Sequence, residues 1–186
     1  MTCTDEQLIG FWRENRALPL PYFGGREVAL FFEDEQQIIH FGDTIRRFLN
    51  LGEAERIGDT PHIHAYLNDF AEAVGWEYID RALKGLAPDA AEIWRFVRPT
   101  TLSAMESWDV GAKEPRKQYL VLEGNCDWEE EHGILMSWRD GGELVKVSGY
   151  DGHATNGHAY ADLAKDIYVY YATRPELSTF NPAMTK

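Results

Sequence analysis

Apolar and polar positions fall into two rhythms along this chain, and the clearer one lies between Gln118 and Tyr150. There Tyr119, Val121 and Glu123 alternate with Leu120 and Leu122. Ile134, Met136 and Trp138 alternate with Leu135, Ser137 and Arg139, and Val145 and Val147 with Leu144, Lys146 and Ser148. A period of two marks strands with one buried face. Asp140-Gly141-Gly142 offers residues that tolerate positive φ between the last two runs, so these are expected to pair as an antiparallel hairpin. A hairpin alone is marginally stable; the 119–123 strand and covering helices must complete the layer.

The second rhythm is helical. Thr4 followed by Gln7 is a capping box ahead of the Leu8, Phe11, Trp12 stripe. Asp43 is expected to cap a short helix carrying Ile45, Phe48 and Leu49. Thr60-Pro61 is read as the start of the longest helix, with Ile63, Leu67, Phe70, Val74 and Tyr78 as its buried stripe, a bend near Gly75 and an end near Gly85. Asp89 and Glu92 open another short helix, stopped by Pro99. Asn156 is expected to cap a last helix through Tyr160, Leu163, Ile167, Tyr168 and Tyr171, closed by Pro175. Residues 26–32 and 36–41 read as two short strands around Glu33-Asp34-Glu35. These elements predict an α+β fold, a small antiparallel β-sheet of hairpins covered by several amphipathic helices. Residues 1–186 are expected to form one domain with a loosely held tail from about 175.

Composition narrows the function classes. With 186 residues, 44% apolar and 13% aromatic, the chain can bury a sizeable core. No run approaches the length of a membrane span, and the acidic N-terminus lacks the features of a secretion signal, so a cytoplasmic protein is expected. Cys3 and Cys126, the two cysteines, do not suggest a disulfide framework or a cysteine-rich zinc site. A formal charge of −13 argues against nucleic-acid backbones as partners and favours encounter with a basic protein. No cofactor motif is present, and none is expected to bind.

The densest polar cluster is Cys126-Asp127-Trp128-Glu129-Glu130-Glu131-His132-Gly133. Carboxylates and imidazole can hold a divalent metal, and Asp151 and His153 could join Asp127, Glu131 and His132 because the hairpin returns the chain to the same end of the sheet. The spacing matches neither an HExxH helix nor an EF-hand loop. The competing reading is structural: Trp128 plugs the sheet end, one carboxylate accepts backbone hydrogen bonds, and Gly133 serves a tight turn or bulge. Cys126 among negative charges is a poor thiolate, so no catalytic residue is assigned. Asp127, Trp128, Glu129 and Glu130, with Trp108 and Trp76 as aromatic anchors, are the candidate partner-binding residues.

Cys126-Asp127-Trp128-x-x-Glu131-His132-Gly133, followed by a strand, the Asp140-Gly141 turn, a second strand and Asp151-Gly152, resembles a C-terminal segment of uncharacterised bacterial proteins. Some of these look like products of toxin–immunity gene neighbourhoods. The resemblance implies a non-enzymatic protein-binding module, an immunity-like inhibitor of a basic toxin; it establishes no catalytic residues. A small divalent-metal-dependent hydrolase and a housekeeping role are the alternatives.

Overall fold

The predicted hairpin is the middle of a longer ladder. The computed structural model describes residues 3–83, 92–106 and 116–181. In chain order its elements are α1 (Asp5–Arg13), β1 (Leu18–Leu20), β2 (Arg26–Leu30), α2 (Glu35–His40), α3 (Gly42–Phe48), α4 (Glu53–Val74), α5 (Trp76–Ala82), β3 (Val97–Glu106), β4 (Gln118–Cys126), β5 (Glu129–Arg139), β6 (Glu143–Ser148), α6 (Asn156–Ala159), β7 (Tyr168–Tyr170) and β8 (Thr179–Phe180), with short 3₁₀ turns between them. The eight strands lie side by side in chain order. Pairing is antiparallel except at β2–β3 and β6–β7. The fold is α+β.

Alternation along β4 and β5 divides the apolar side chains between the two faces. Leu120, Leu122, Met136, Trp138 and Val147 join the main core with the helices. Tyr119, Val121, Leu135 and Val145 form a smaller cluster with Ala154 on the other face. Lys146 also lies fully buried there, its Nζ bonded to both Asp151 carboxylate oxygens at 2.6 and 2.5 Å and to the His153 carbonyl at 3.0 Å. At the β5–β6 turn, Asp140 (φ 48°) and Gly141 (φ 71°) are both left-handed, as the Asp-Gly signal predicts.

Besides Asp43, which lies inside α3 rather than capping it, and Pro99, which lies within β3 rather than ending a helix, four elements differ from the sequence reading. Residues 36–41 form no strand: Asp34 caps α2 by accepting from the Gln37 N–H at 2.8 Å, and β2 pairs instead with β1 and β3. The long helix begins at Glu53 rather than Thr60, with the Glu55 carboxylate accepting from the Gly52 N–H at 2.7 Å. Pro61 is tolerated inside it on an exposed face, where the carbonyl it leaves unbonded can be hydrated. Gly75 (φ 94°) ends α4, and α5 is a separate short helix.

The third difference is at the C-terminal end, where the predicted last helix shrinks to the single turn of α6, capped by Thr155 rather than Asn156. Tyr160 and Leu163, two members of its supposed buried stripe, are 52% and 59% exposed, and Tyr168–Tyr170 pair as a strand. Val169 and Tyr170 of this β-branched and aromatic run join the main core from a strand that lies between β6 and β8. Lastly, the tail is held as far as Asn181, through β8 and a bond from the Asn181 amide to Glu143 at 2.8 Å.

Candidate functional site

The polar cluster at 126–133 is a tight hairpin rather than an open elbow. Cys126 pairs with Glu129, leaving Asp127 and Trp128 as the turn. Trp128 is fully buried and meets Tyr66 of α4 edge-on, ring centroids 5.8 Å apart. Glu129 is 5% exposed. Its carboxylate accepts from the Glu131 N–H at 2.9 Å and the His132 N–H at 2.8 Å, and the Tyr66 hydroxyl donates to it at 3.3 Å and to the Gly133 carbonyl at 2.7 Å. Burial, with the charge of Glu129 beside it, pushes the Tyr66 hydroxyl far above its ordinary value, so it stays a donor. Gly133 (φ 59°) leaves no room for a Cβ, which would meet the Gly124 carbonyl oxygen beside the bulge in β4. The structural reading of this segment therefore holds in detail.

The candidate partner-binding residues separate on this geometry. Trp128 and Glu129 are corrected: both are interior groups that fix the hairpin and present no surface to a partner. Asp127 is partly exposed and ion-paired with Arg98. Glu130 is exposed, as is Trp76 at the start of α5, 47% accessible. Trp108 lies outside the described residues. Cys126 is buried with its thiol against the Gly133 carbonyl at 3.4 Å, and burial pushes its pKa up to about 12.

The metal candidates do not converge. His132 and Glu131 point outward from β5, Asp127 is taken by Arg98, and Asp151 by Lys146. Among the described residues the His153 ring comes near one carboxylate, Asp151, at 3.8 Å. No group of three or more His, Cys, Asp or Glu among the described residues is arranged to hold a metal.

Two concavities flank these elements. One, of about 240 Å³, opens on the outer side of the hairpin. Its rim carries Glu123, Glu130, Glu131, His132 and Tyr150 around a floor of Gly124 and Gly133. The carboxylates of Glu123, Glu130 and Glu131 have no hydrogen-bond or ion-pair partner among the described residues. Tyr150 is 51% exposed and its N–H donates to the His132 carbonyl at 3.0 Å, which ties the rim to β5. The sequence reading had identified Glu130 and Glu131; Glu123 and Tyr150 come to them only through strand pairing.

The second, of about 390 Å³, lies between α4 and the β5–β6 turn and is lined by Leu51, Glu55, Asp59, His62, Glu143, Leu144 and Asn181 among others. The Tyr22 hydroxyl donates to Asp59 at 2.8 Å, yet burial still raises the Asp59 pKa to about 6. His62 contacts the Thr179 hydroxyl through Nδ1 at 2.7 Å, and burial lowers its pKa to about 4, so it is neutral near pH 7. None of these residues is among the partner-binding or metal candidates read from the sequence. Glu55, Asp59 and His62 recur at four- and three-residue steps, a signal hidden by starting the helix at Thr60.

Fold and rim together define an acidic α+β scaffold with a rigid hairpin carrying unpaired carboxylates. The chain belongs to the family described as "Domain of unknown function (DUF6985)", whose model matches residues 2–154. No curated protein and no solved structure matches it. The matched span includes the hairpin and its rim and ends before α6, β7 and β8.

Proposed function

We propose that this protein is a non-enzymatic protein-binding module of the cytoplasm that receives a basic segment of a partner in the cleft beside the β4–β5 hairpin. The observation that carries the reading is the rim itself: Glu123, Glu130 and Glu131, unpaired, face a common hollow with exposed Tyr150 beside them. Unpaired carboxylates around a concave floor suit ammonium and guanidinium groups, and a neighbouring tyrosine offers an aromatic face and a hydroxyl. The hairpin is held from inside by Glu129, Trp128 and Tyr66, so the rim is preorganised and little ordering cost attends binding. A net charge of −13 would hasten encounter with a basic partner. An immunity-like inhibitor of a basic toxin is the particular form of this role that we favour, on the resemblance of the 126–133 segment. No helix among the described residues is long and apolar enough to cross a membrane.

The test is capture from the native cell by the wild-type chain and by Glu130→Lys/Glu131→Lys. A stoichiometric basic partner should bind the wild type, lose affinity on charge reversal and associate more slowly as salt rises. Both substitutions lie on exposed side chains, so the melting temperature should hardly move. Equal capture by both proteins, or binding indifferent to salt, would count against the reading.

A further inference from the structure

The cavity between α4 and the β5–β6 turn is built from groups that the hairpin site does not use. Glu55 and Asp59 stand four residues apart on α4 and both line it. Like charges at that spacing repel, and the Glu55 charge adds to the upward shift of Asp59. The neighbouring cations do not relieve them: Arg56 pairs with Glu53 and Arg139 with Glu143. Among the described residues Asp59 has the Tyr22 hydroxyl as its hydrogen-bond partner, and Glu55 has the Gly52 N–H.

His62 is the second, independent observation. It is 9% exposed, lines the same cavity, and is held through Nδ1 by Thr179, while its Nε2 has no hydrogen-bond partner among the described residues. The neutral ring presents a polar atom to the hollow without contributing positive charge. Leu51 and Leu144 supply apolar wall. A volume of about 390 Å³ falls in the range of small-molecule sites.

We propose that this cavity binds a small organic cation, an ammonium or guanidinium on a short apolar stem, with its charge at Asp59 and Glu55 and its stem against Leu51 and Leu144. The bound cation relieves the repulsion along α4 and supplies Asp59 with the counter-charge that the chain withholds; the His62 Nε2 takes a polar group of the ligand or its water. The same head group comes from two sources, a free amine or a lysine side chain of another protein, and the cavity recognises the chemistry common to both.

The experiment is titration of the full-length chain with butylammonium, followed by backbone amide shifts in ¹H–¹⁵N spectra. Saturable shifts at Gly58, Asp59 and Gly142 are expected, with butanol and butyrate producing none. Asp59→Asn, close to isosteric, should weaken butylammonium about tenfold or more while keeping the wild-type spectrum elsewhere. Nα-acetyl-lysine methylamide separates the sources: affinity matching butylammonium identifies a protein side chain, and weaker binding identifies a free amine. Non-saturating shifts, an equal response to butanol or butyrate, shifts confined to Glu130–Gly133, or undiminished affinity in Asp59→Asn would overturn the proposal; the wild-type comparisons stand even if the variant fails to fold.

Discussion

The Tyr22 hydroxyl donates to Asp59 at 2.8 Å and does not overcome the cost of burying that carboxylate. Its pKa of about 6 lies above the unfolded value, so between roughly pH 4 and 6 the folded state holds a proton that the unfolded state has released. Asp59 therefore gives up stability as pH rises through that window. His62 acts in the opposite sense, because its folded pKa of about 4 lies below the unfolded value and folding expels a proton over the same interval.

The two groups should nearly cancel. Relative to wild type, Asp59→Asn is expected to lose stability on acidification from pH 6 to 4, and His62→Gln to gain it, each with a slope of up to about 1.4 kcal/mol per pH unit. Urea midpoints across that range measure both. Parallel curves for wild type and variants would show that neither group titrates as its burial implies.

Gly141 packs directly on α3, where a Cβ would overlap the Thr44 carbonyl oxygen. Its positive φ adds to the strain that valine would bring. Asp140→Ala with Gly141→Val should cost about 3 kcal/mol or more, whereas Gly142→Ala, whose Cβ meets nothing within 4 Å, should cost far less. Thermal midpoints of the two proteins decide it, and similar losses would count against this turn.

Lys146 depends on Asp151 for its charge. Burial lowers the Lys146 pKa and Asp151 draws it back up, an arrangement that fails if one partner is removed. Asp151→Asn should destabilise by about 3 kcal/mol, and adding Lys146→Met should recover much of the loss. Additive losses in the double variant would mean that the pair is not coupled.

Cys126 should resist modification. With its pKa at about 12 and its thiol buried beneath the hairpin, alkylation near pH 7 should proceed only as fast as the protein opens. Rapid labelling in the folded state, with loss of partner binding in Cys126→Ala, would overturn this assignment.

Calcium, magnesium, manganese and zinc should leave the melting curve unmoved, since Asp127 and Asp151 are already spent on Arg98 and Lys146. A stoichiometric stabilisation by any of these ions, removed by a chelator, would restore the metal reading.

The central strands were legible because their signals are local. Alternation at 119–123 and 134–148, an Asp-Gly turn and the Thr4–Gln7 box each depend on residues within one element. α2 is legible too, in an Asp34-x-x-Gln37 cap of the same kind, which outweighs the turn signal of the acidic run Glu33-Asp34-Glu35. For the long helix, proline and threonine make a strong start signal at Thr60, but the helix starts earlier, at Glu53, where the Glu55 carboxylate caps the Gly52 N–H. The IYVYY run shows the reverse error: helical spacing yields to strand pairing between β6 and β8, which buries Val169 and Tyr170.

The sequence by itself determined the α+β class, the β4–β6 ladder, the acidic surface and the hairpin's reliance on Gly133 and a buried carboxylate. Only the tertiary structure decided that this carboxylate is Glu129, that Trp128 faces Tyr66 rather than a partner, and that Glu123 and Tyr150 share a rim with Glu130 and Glu131. It also brought Asp59 and His62 to one cavity with Glu143 and Asn181. The physical reason is range: propensity, capping and turn chemistry act over a few residues, whereas burial and charge compensation depend on which distant segments pack together.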